Sequence, residues 1–159
     1  MGRRFLRWLG GAVAAIAAAV GLLLAVARLH DGPLGPFSGG DFRSGSEAAV
    51  PSDWSFASAA RTFELELPPG AGRSITAGFA VLDGKLYVPS LFARQKRWPS
   101  LVLADPRVRI RLEGKIYALR AARVEDPGTL QRVGPLIQER YGEHGVFGDR
   151  DWVFALTPR

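Results

Sequence analysis

Three basic residues within four positions, Arg94, Lys96 and Arg97, carry the clearest chemical signal in the sequence. Guanidinium forks and an ammonium group near a helix start suit a phosphate, because the partial positive charge of the helix end adds to theirs. The same cluster also describes an ordinary solvated surface. Little else in the chain can do chemistry unaided. Cysteine is absent and only His30 and His144 are present, which excludes disulfides, thiolate metal sites, a cysteine nucleophile and a histidine-rich metal centre. Glu143-His144, between Gly142 and Gly145, reads as a turn, with general acid–base work as its alternative. Glu64 and Glu66 stand two apart, the spacing of one wet strand face, and make no glycosidase pair without a shaped cleft. Arg107, Arg109 and Arg111 repeat with the same period. They read as another wet face, or as a surface for anionic lipid heads or acidic partners.

The elements that must position these residues follow a period of two from residue 62 onward. Phe63, Leu65 and Leu67 alternate with Glu64 and Glu66, a strand with one apolar face that Pro68-Pro69-Gly70 ends. Residues 73–82 read as a second strand, Asp83-Gly84 as a two-residue hairpin turn, and 85–89 as a third strand. Val108, Ile110 and Leu112 alternate in a fourth, Glu113-Gly114 turns it into a fifth over 115–124, and 151–157 closes the series. Helical character marks 94–104 and 127–141. Asp126 suits the N-cap of the second helix and Pro127 its first position, while Gly134-Pro135 predicts a kink or a delayed start. Trp54, Trp152 and Phe154 read as core or barrel wall. The result is a mainly β (α+β) domain over 54–159, a six-stranded antiparallel barrel with two short helices, and no doubly wound α/β fold.

This order of elements resembles the flavin-binding split β-barrel over about residues 60–157. The relatives are pyridoxamine-phosphate-oxidase-like and deazaflavin-dependent nitroreductase-like proteins. The stretch Ser90-Leu91-Phe92-Ala93-Arg94-Gln95-Lys96-Arg97-Trp98, leading to Ala104-Asp105-Pro106, matches the basic motif and helix that precede an Asn-Pro step in those groups. Trp98 followed by Asp105-Pro106 is closer to the deazaflavin group, although Leu101-Val102 stands where that group has Asn-Leu. Gly72-Arg73-Ser74 keeps the start of its Gly-Arg-x-Ser-Gly turn but shifts the serine and lacks the second glycine. The resemblance implies FMN or the deazaflavin F420 as cofactor, with Arg94, Lys96 and Arg97 on the phosphate and Ser90 and Ser74 as hydroxyl donors. Trp98, with Phe79 and Tyr87, would form the ring wall. It also implies a homodimer whose second chain completes the site. The cofactor would carry the hydride chemistry, which agrees with so few catalytic groups. The alternative is a noncatalytic barrel that binds a lipid, a small ligand or an envelope protein.

The N-terminus bears on where this happens. Residues 1–30 hold Arg3, Arg4, Arg7 and Arg28 without an acid, so they account for +4 of the formal charge of +6. The remaining residues carry 17 basic side chains against 15 acidic ones, too even a balance for a nucleic-acid-binding domain. Trp8 to Ala27 is an uncharged 20-residue stretch, long enough as a helix to span the hydrocarbon core. Three arginines precede it, which predicts a cytoplasmic N-terminus and a domain on the extracytoplasmic side of the inner membrane. A cleaved signal ending at Ala25-Val26-Ala27, giving a secreted or periplasmic domain, is the competing expectation. Arg3-Arg4-Phe5-Leu6 also resembles a twin-arginine export signal, with one residue fewer than its usual spacing. Residues 31–53, rich in Gly, Pro and Ser, read as a linker. Leu34, Phe37 and Phe42 imply that part of it packs on the domain, docked at Asp53-Trp54-Ser55-Phe56.

Overall fold

A computed structural model describes residues 2–69, 71–142 and 150–159. The chain opens with helix α1 (Gly2–Leu29). Among the described residues α1 is the one helix long and apolar enough to cross a membrane, with mean hydropathy 2.4 over an exposed span, Arg7–Leu29. The strands are β1 (Ser46–Glu47), β2 (Thr62–Glu66), β3 (Ser74–Gly78), β4 (Ala80–Leu82), β5 (Lys85–Ser90), β6 (Arg107–Leu112), β7 (Lys115–Arg123) and β8 (Trp152–Pro158). Helix α2 (Arg97–Ala104) sits between β5 and β6, and α3 (Pro127–Tyr141) between β7 and β8. Short 3-10 turns occupy Ser55–Ala59 and Ala93–Gln95.

The order across the sheet is β3-β2-β6-β7-β8-β5-β4. Because β3 and β4 are consecutive in the chain, the two ends of that order meet at Phe79 and the sheet nearly closes into a barrel. The second strand expected over 73–82 is therefore two: residues 74–78 pair with β2 and residues 80–82 with β5. The break has a local cause, since the Phe79 amide donates to the Tyr141 hydroxyl at 2.8 Å instead of joining a ladder. This division and the two-residue β1, which runs parallel to β7, raise the strand count from six to eight. Both expected hairpin turns carry positive φ at both central residues, Asp83 (50°) with Gly84 (70°) and Glu113 (51°) with Gly114 (75°), the geometry that matches strand twist.

The apolar residues of β2, β5 and β6 point into the barrel, where Phe63 stacks on Phe79 at 4.8 Å and Trp98 packs on Phe154 at 5.1 Å. A second cluster lies outside the barrel wall, where Val133 and Ile137 of α3 cover Tyr87, Ala80 and Val153. Asp126 caps α3 by accepting from the Thr129 amide at 2.7 Å, with Pro127 in the first turn. The helix runs from Pro127 through Pro135 to Tyr141, so Gly134-Pro135 does not delay its start. The Glu143-His144 turn lies outside the described residues.

The segment before the barrel covers a sheet face. Trp54 is buried edge-on against Tyr117 at 4.9 Å, and its amide donates to the Gly84 carbonyl at 2.9 Å. Phe42 is buried under Arg111, whose guanidinium carbon is 4.6 Å from the ring centroid. This cover corrects the reading of two wet strand faces. Glu64 pairs in register with Arg111 and Glu66 with Arg109, and each register pair is an ion pair. Arg109 also reaches Glu47 at 3.1 Å and Arg111 reaches Asp31 at 2.9 Å. Glu66 keeps only 6 % of its surface exposed. The pleat that turns the apolar residues inward turns these charges outward, and residues 31–47 then close over them. Arg107, at the strand end, pairs with Asp105 at 2.6 Å.

Candidate functional site

The expected site residues converge only in part. Lys85–Ser90 ends at a serine whose side chain is fully buried, and its hydroxyl has no hydrogen-bond partner among the described residues. The chain then turns sharply. Phe92 adopts the left-handed conformation (φ 50°), its amide donates to Asp151 at 2.7 Å, and its ring is 52 % exposed. A bulky residue held there is strained backbone of the kind that clusters at functional sites. Arg94, Lys96 and Arg97 follow, all exposed.

These three residues point to different neighbours. Lys96 lines a cleft of about 310 Å³ together with Thr62, Gly78, Pro89, Leu91, Ile137 and Tyr141. Arg97 opens α2 and stands close enough to Arg73 that its charge, after burial and the charge of Arg28, lowers the Arg73 pKa. Arg94 lies on the 3-10 turn between them and the strand. Ser74 is fully buried and its hydroxyl donates to the Gly40 carbonyl at 2.6 Å, so it holds the N-terminal segment. Trp98 and Phe79 belong to the barrel interior and Tyr87 lies under α3.

The sequence did not point to Tyr141, yet it shapes the cleft. Its hydroxyl accepts from the Phe79 amide and lies beside the carbonyls of Phe79, at 3.0 Å, and Arg61. A Cβ at Gly78 would stand 2.8 Å from the Tyr141 ring, so glycine is needed for the ring to seat. The available signal was Tyr141 at the end of an apolar helical face, but the bend at Phe79 that receives it has no local signature.

Two of the larger hollows differ from the Lys96 cleft in their charged residues. One of about 540 Å³ beneath residues 33–45 is lined by the paired Glu64 and Arg111. Another of about 450 Å³ contains Arg61, Arg140 and Glu139. There Arg140 lies over the Phe79 ring at 4.9 Å and donates to the Ser58 carbonyl at 3.1 Å, while its Nε and one terminal nitrogen are buried without a partner among the described residues. The Lys96 cleft combines a cation that makes no ion pair among the described residues with apolar walls and the hydroxyl-bearing Thr62 and Tyr141; Ser90, expected as a donor, does not line it. It can take a small, partly apolar ligand with one anionic group.

Of the expected phosphate ligands Lys96 alone lines the cleft, which offers one cation to the phosphate end of a flavin-type cofactor. The expected aromatic wall is not supplied within one chain, because Phe79, Tyr87 and Trp98 are core residues.

No protein-family model and no curated protein matches this chain. Solved structures do. A Listeria innocua protein provisionally described as a pyridoxamine 5'-phosphate oxidase is 19% identical, with a TM-score of 0.51 over 64% of this chain and 86% of its own. The heme storage protein HutZ of Vibrio cholerae is also 19% identical, with a TM-score of 0.51 over 65% of this chain and 85% of its own. At this identity the likeness speaks to architecture. The chain shares the split β-barrel fold of these two proteins.

Proposed function

We propose that this chain is a membrane-anchored split barrel that binds a flavin-type cofactor, FMN or F420, in the Lys96 cleft and serves as an oxidoreductase. The observation that supports it is a cleft with one cation, Lys96, unpaired among the described residues, set among apolar residues and the hydroxyl-bearing Thr62 and Tyr141, in a barrel of this fold. Lys96 holds the phosphate with Arg94 beside it, and Thr62 and Tyr141 bring hydroxyls to the same lining. Leu91, Pro89 and Ile137 keep water from the apolar part of the ligand, and Tyr141 fixes the opposite wall. Bound there, the cofactor would supply hydride transfer. In a homodimer a second copy would add the wall that one chain lacks, and Phe92 is the exposed aromatic nearest the basic run.

Helix α1 is the anchor in this reading, with the barrel on the extracytoplasmic side. Ala27 is buried, and the Arg28 carbonyl packs where a Cβ at Gly40 would stand 2.6 Å away. A helix end built into the barrel in this way favours retention over cleavage at Ala27. The intact mass of the protein extracted from membranes tests it, since loss of residues 1–27 would contradict it.

A second reading, a noncatalytic barrel, is favoured by the burial of Phe79, Tyr87 and Trp98. Titrating the full chain in detergent micelles with FMN and with F420, followed by fluorescence and thermal shift, separates the two. Saturable binding that Lys96→Gln weakens about tenfold supports the oxidoreductase. Absence of binding up to about 100 μM, roughly 5.5 kcal/mol, sinks it and leaves the noncatalytic barrel.

A further inference from the structure

We infer that Arg28, Arg73 and Arg97 form a binding site for the phosphodiester of an anionic membrane lipid, at the level where α1 leaves the bilayer. The inference rests on the anchor half of the reading above and is independent of the cofactor. Its geometry begins at the helix end. The His30 amide donates to Ala27 and the Gly40 amide to His30, both at 3.1 Å, while the Arg28 carbonyl lies against Gly40. Gly39 bridges Ser74 in both directions at 3.0 and 2.9 Å. A Cβ at Gly39 would overlap the Gly32 carbonyl. The last turn of α1 thus packs on Gly40 while Gly39 pairs with Ser74, so residues 39–40 link the helix end to β3 beside Arg73. Through this link the barrel stays close to the end of α1.

Arg73 is the centre of the cluster. One of its terminal nitrogens donates to the Ser38 hydroxyl at 2.8 Å, and its Nε is buried with no partner among the described residues. Burial, then the positive charges of Arg28 and Arg97, lowers its pKa below the usual arginine range. Among the described residues no carboxylate forms an ion pair with any of the three, whereas Arg107, Arg109 and Arg111 are each paired. A guanidinium group that feels two other arginines, has an orphaned donor and meets no carboxylate among the described residues makes an arrangement that an anion completes.

Depth selects the anion. Arg28 closes the apolar stretch of α1, which puts it at the edge of the hydrocarbon, where lipid phosphates lie. Leu101, one helical turn after Arg97, is exposed beside it and suits the acyl–headgroup boundary. A soluble phosphate has no use for either feature.

The test uses the full chain in neutral detergent micelles, with thermal unfolding followed as phosphatidylglycerol, phosphatidylcholine or inorganic phosphate is added. Phosphatidylglycerol should raise Tm saturably by several degrees, and the half-saturating lipid should rise at least about tenfold in Arg73→Gln/Arg97→Gln. An equal response to phosphatidylcholine, or to inorganic phosphate, overturns the proposal, as does an unchanged response of the double variant. Should the double variant not fold, Arg97→Gln alone, at an exposed position, carries the comparison and should weaken the response about threefold or more. Carbonate extraction from neutral vesicles isolates the anchor. Release of the chain there overturns the anchor and this site with it, whereas a retained chain indifferent to phosphatidylglycerol overturns the site alone. A failed FMN titration touches neither.

Discussion

Two groups of arginines in this molecule have opposite surroundings. On the β2–β6 face, Arg109 and Arg111 sit directly across from Glu66 and Glu64 and are covered by residues 31–47. Around the end of α1, Arg73 feels the charges of Arg28 and Arg97, and among the described residues none of the three forms an ion pair. The first group is neutralised from within and has no spare valence for a ligand. The second is incomplete, and Lys96 on the adjoining turn is equally unpaired among the described residues. Net charge hides this distinction, and partners reveal it. In this fold closed pairs mark architecture, and the open cations at Arg73 and Lys96 are where we propose that something else binds.

The comparison breaks most sharply at Arg111. Its guanidinium serves Glu64, Asp31, the Ser44 and Asp31 carbonyls and the Phe42 ring. Arg111→Ala leaves two carboxylates without their cation and should cost about 3 kcal/mol, the lower part of the range for breaking a buried pair. Urea denaturation measures it, and a loss below about 1 kcal/mol would mean the face is solvated after all. Gly39→Ala comes next. The close approach to Gly32 leaves no room for a methyl group, so overpacking should cost about 2 kcal/mol and expose residues 31–45 to limited proteolysis. A variant as protease-resistant as the native chain would show that the segment finds another seat.

Acid probes the same face more gently. Burial favours the neutral form of Asp31, but hydrogen bonds from the Ser44 hydroxyl and the Arg43 amide, then Arg111, outweigh it and hold the pKa to about 2, against an ordinary value of 3.8. A carboxylate depressed in the folded state stabilises fully above its unfolded pKa, and that contribution disappears as pH falls through the folded one. Stability should therefore be level near neutrality and fall between about pH 4 and pH 2. In Asp31→Asn that part of the fall should be missing, and an identical acid limb in the variant would assign the loss to other carboxylates.

How much of this the sequence made legible depends on what a pattern reports. Alternation at Phe63, Leu65 and Leu67 and at Val108, Ile110 and Leu112 identified strands and their inner face, because the pleat has a period of two. Asp83-Gly84, Glu113-Gly114 and Asp126 revealed turns and a cap through local chemistry. Alternation says nothing about what lies on the outer face, so Glu64, Glu66, Arg109 and Arg111 looked wet until the glycine-rich segment was seen to fold over them. Its glycines, which read as slack, are the close-approach points at Gly39 and Gly40. At the site, the basic run was visible as a run, but its division between the cleft and Arg73 depends on a 3-10 turn and a left-handed Phe92 that no propensity predicts.

The smallest expected effect sharpens the comparison furthest. Arg73→Gln removes a guanidinium as Arg111→Ala does, from a site of similar partial burial, yet its fold stability should change by no more than about 0.5 kcal/mol. The loss of the Ser38 hydrogen bond is opposed by two gains: the like charges of Arg28 and Arg97 lose their neighbour, and the unpartnered Nε is no longer buried. The sign follows from the direction of the shift. A cation whose pKa is lowered in the folded state is one whose charge the fold opposes, so removing it relieves the native state at every pH where arginine is charged. Urea denaturation in neutral micelles, beside Arg111→Ala, makes the measurement. A loss near that of Arg111→Ala would mean that Arg73 is a structural cation with an internal partner, and the division between closed and open arginines would fail at its central residue.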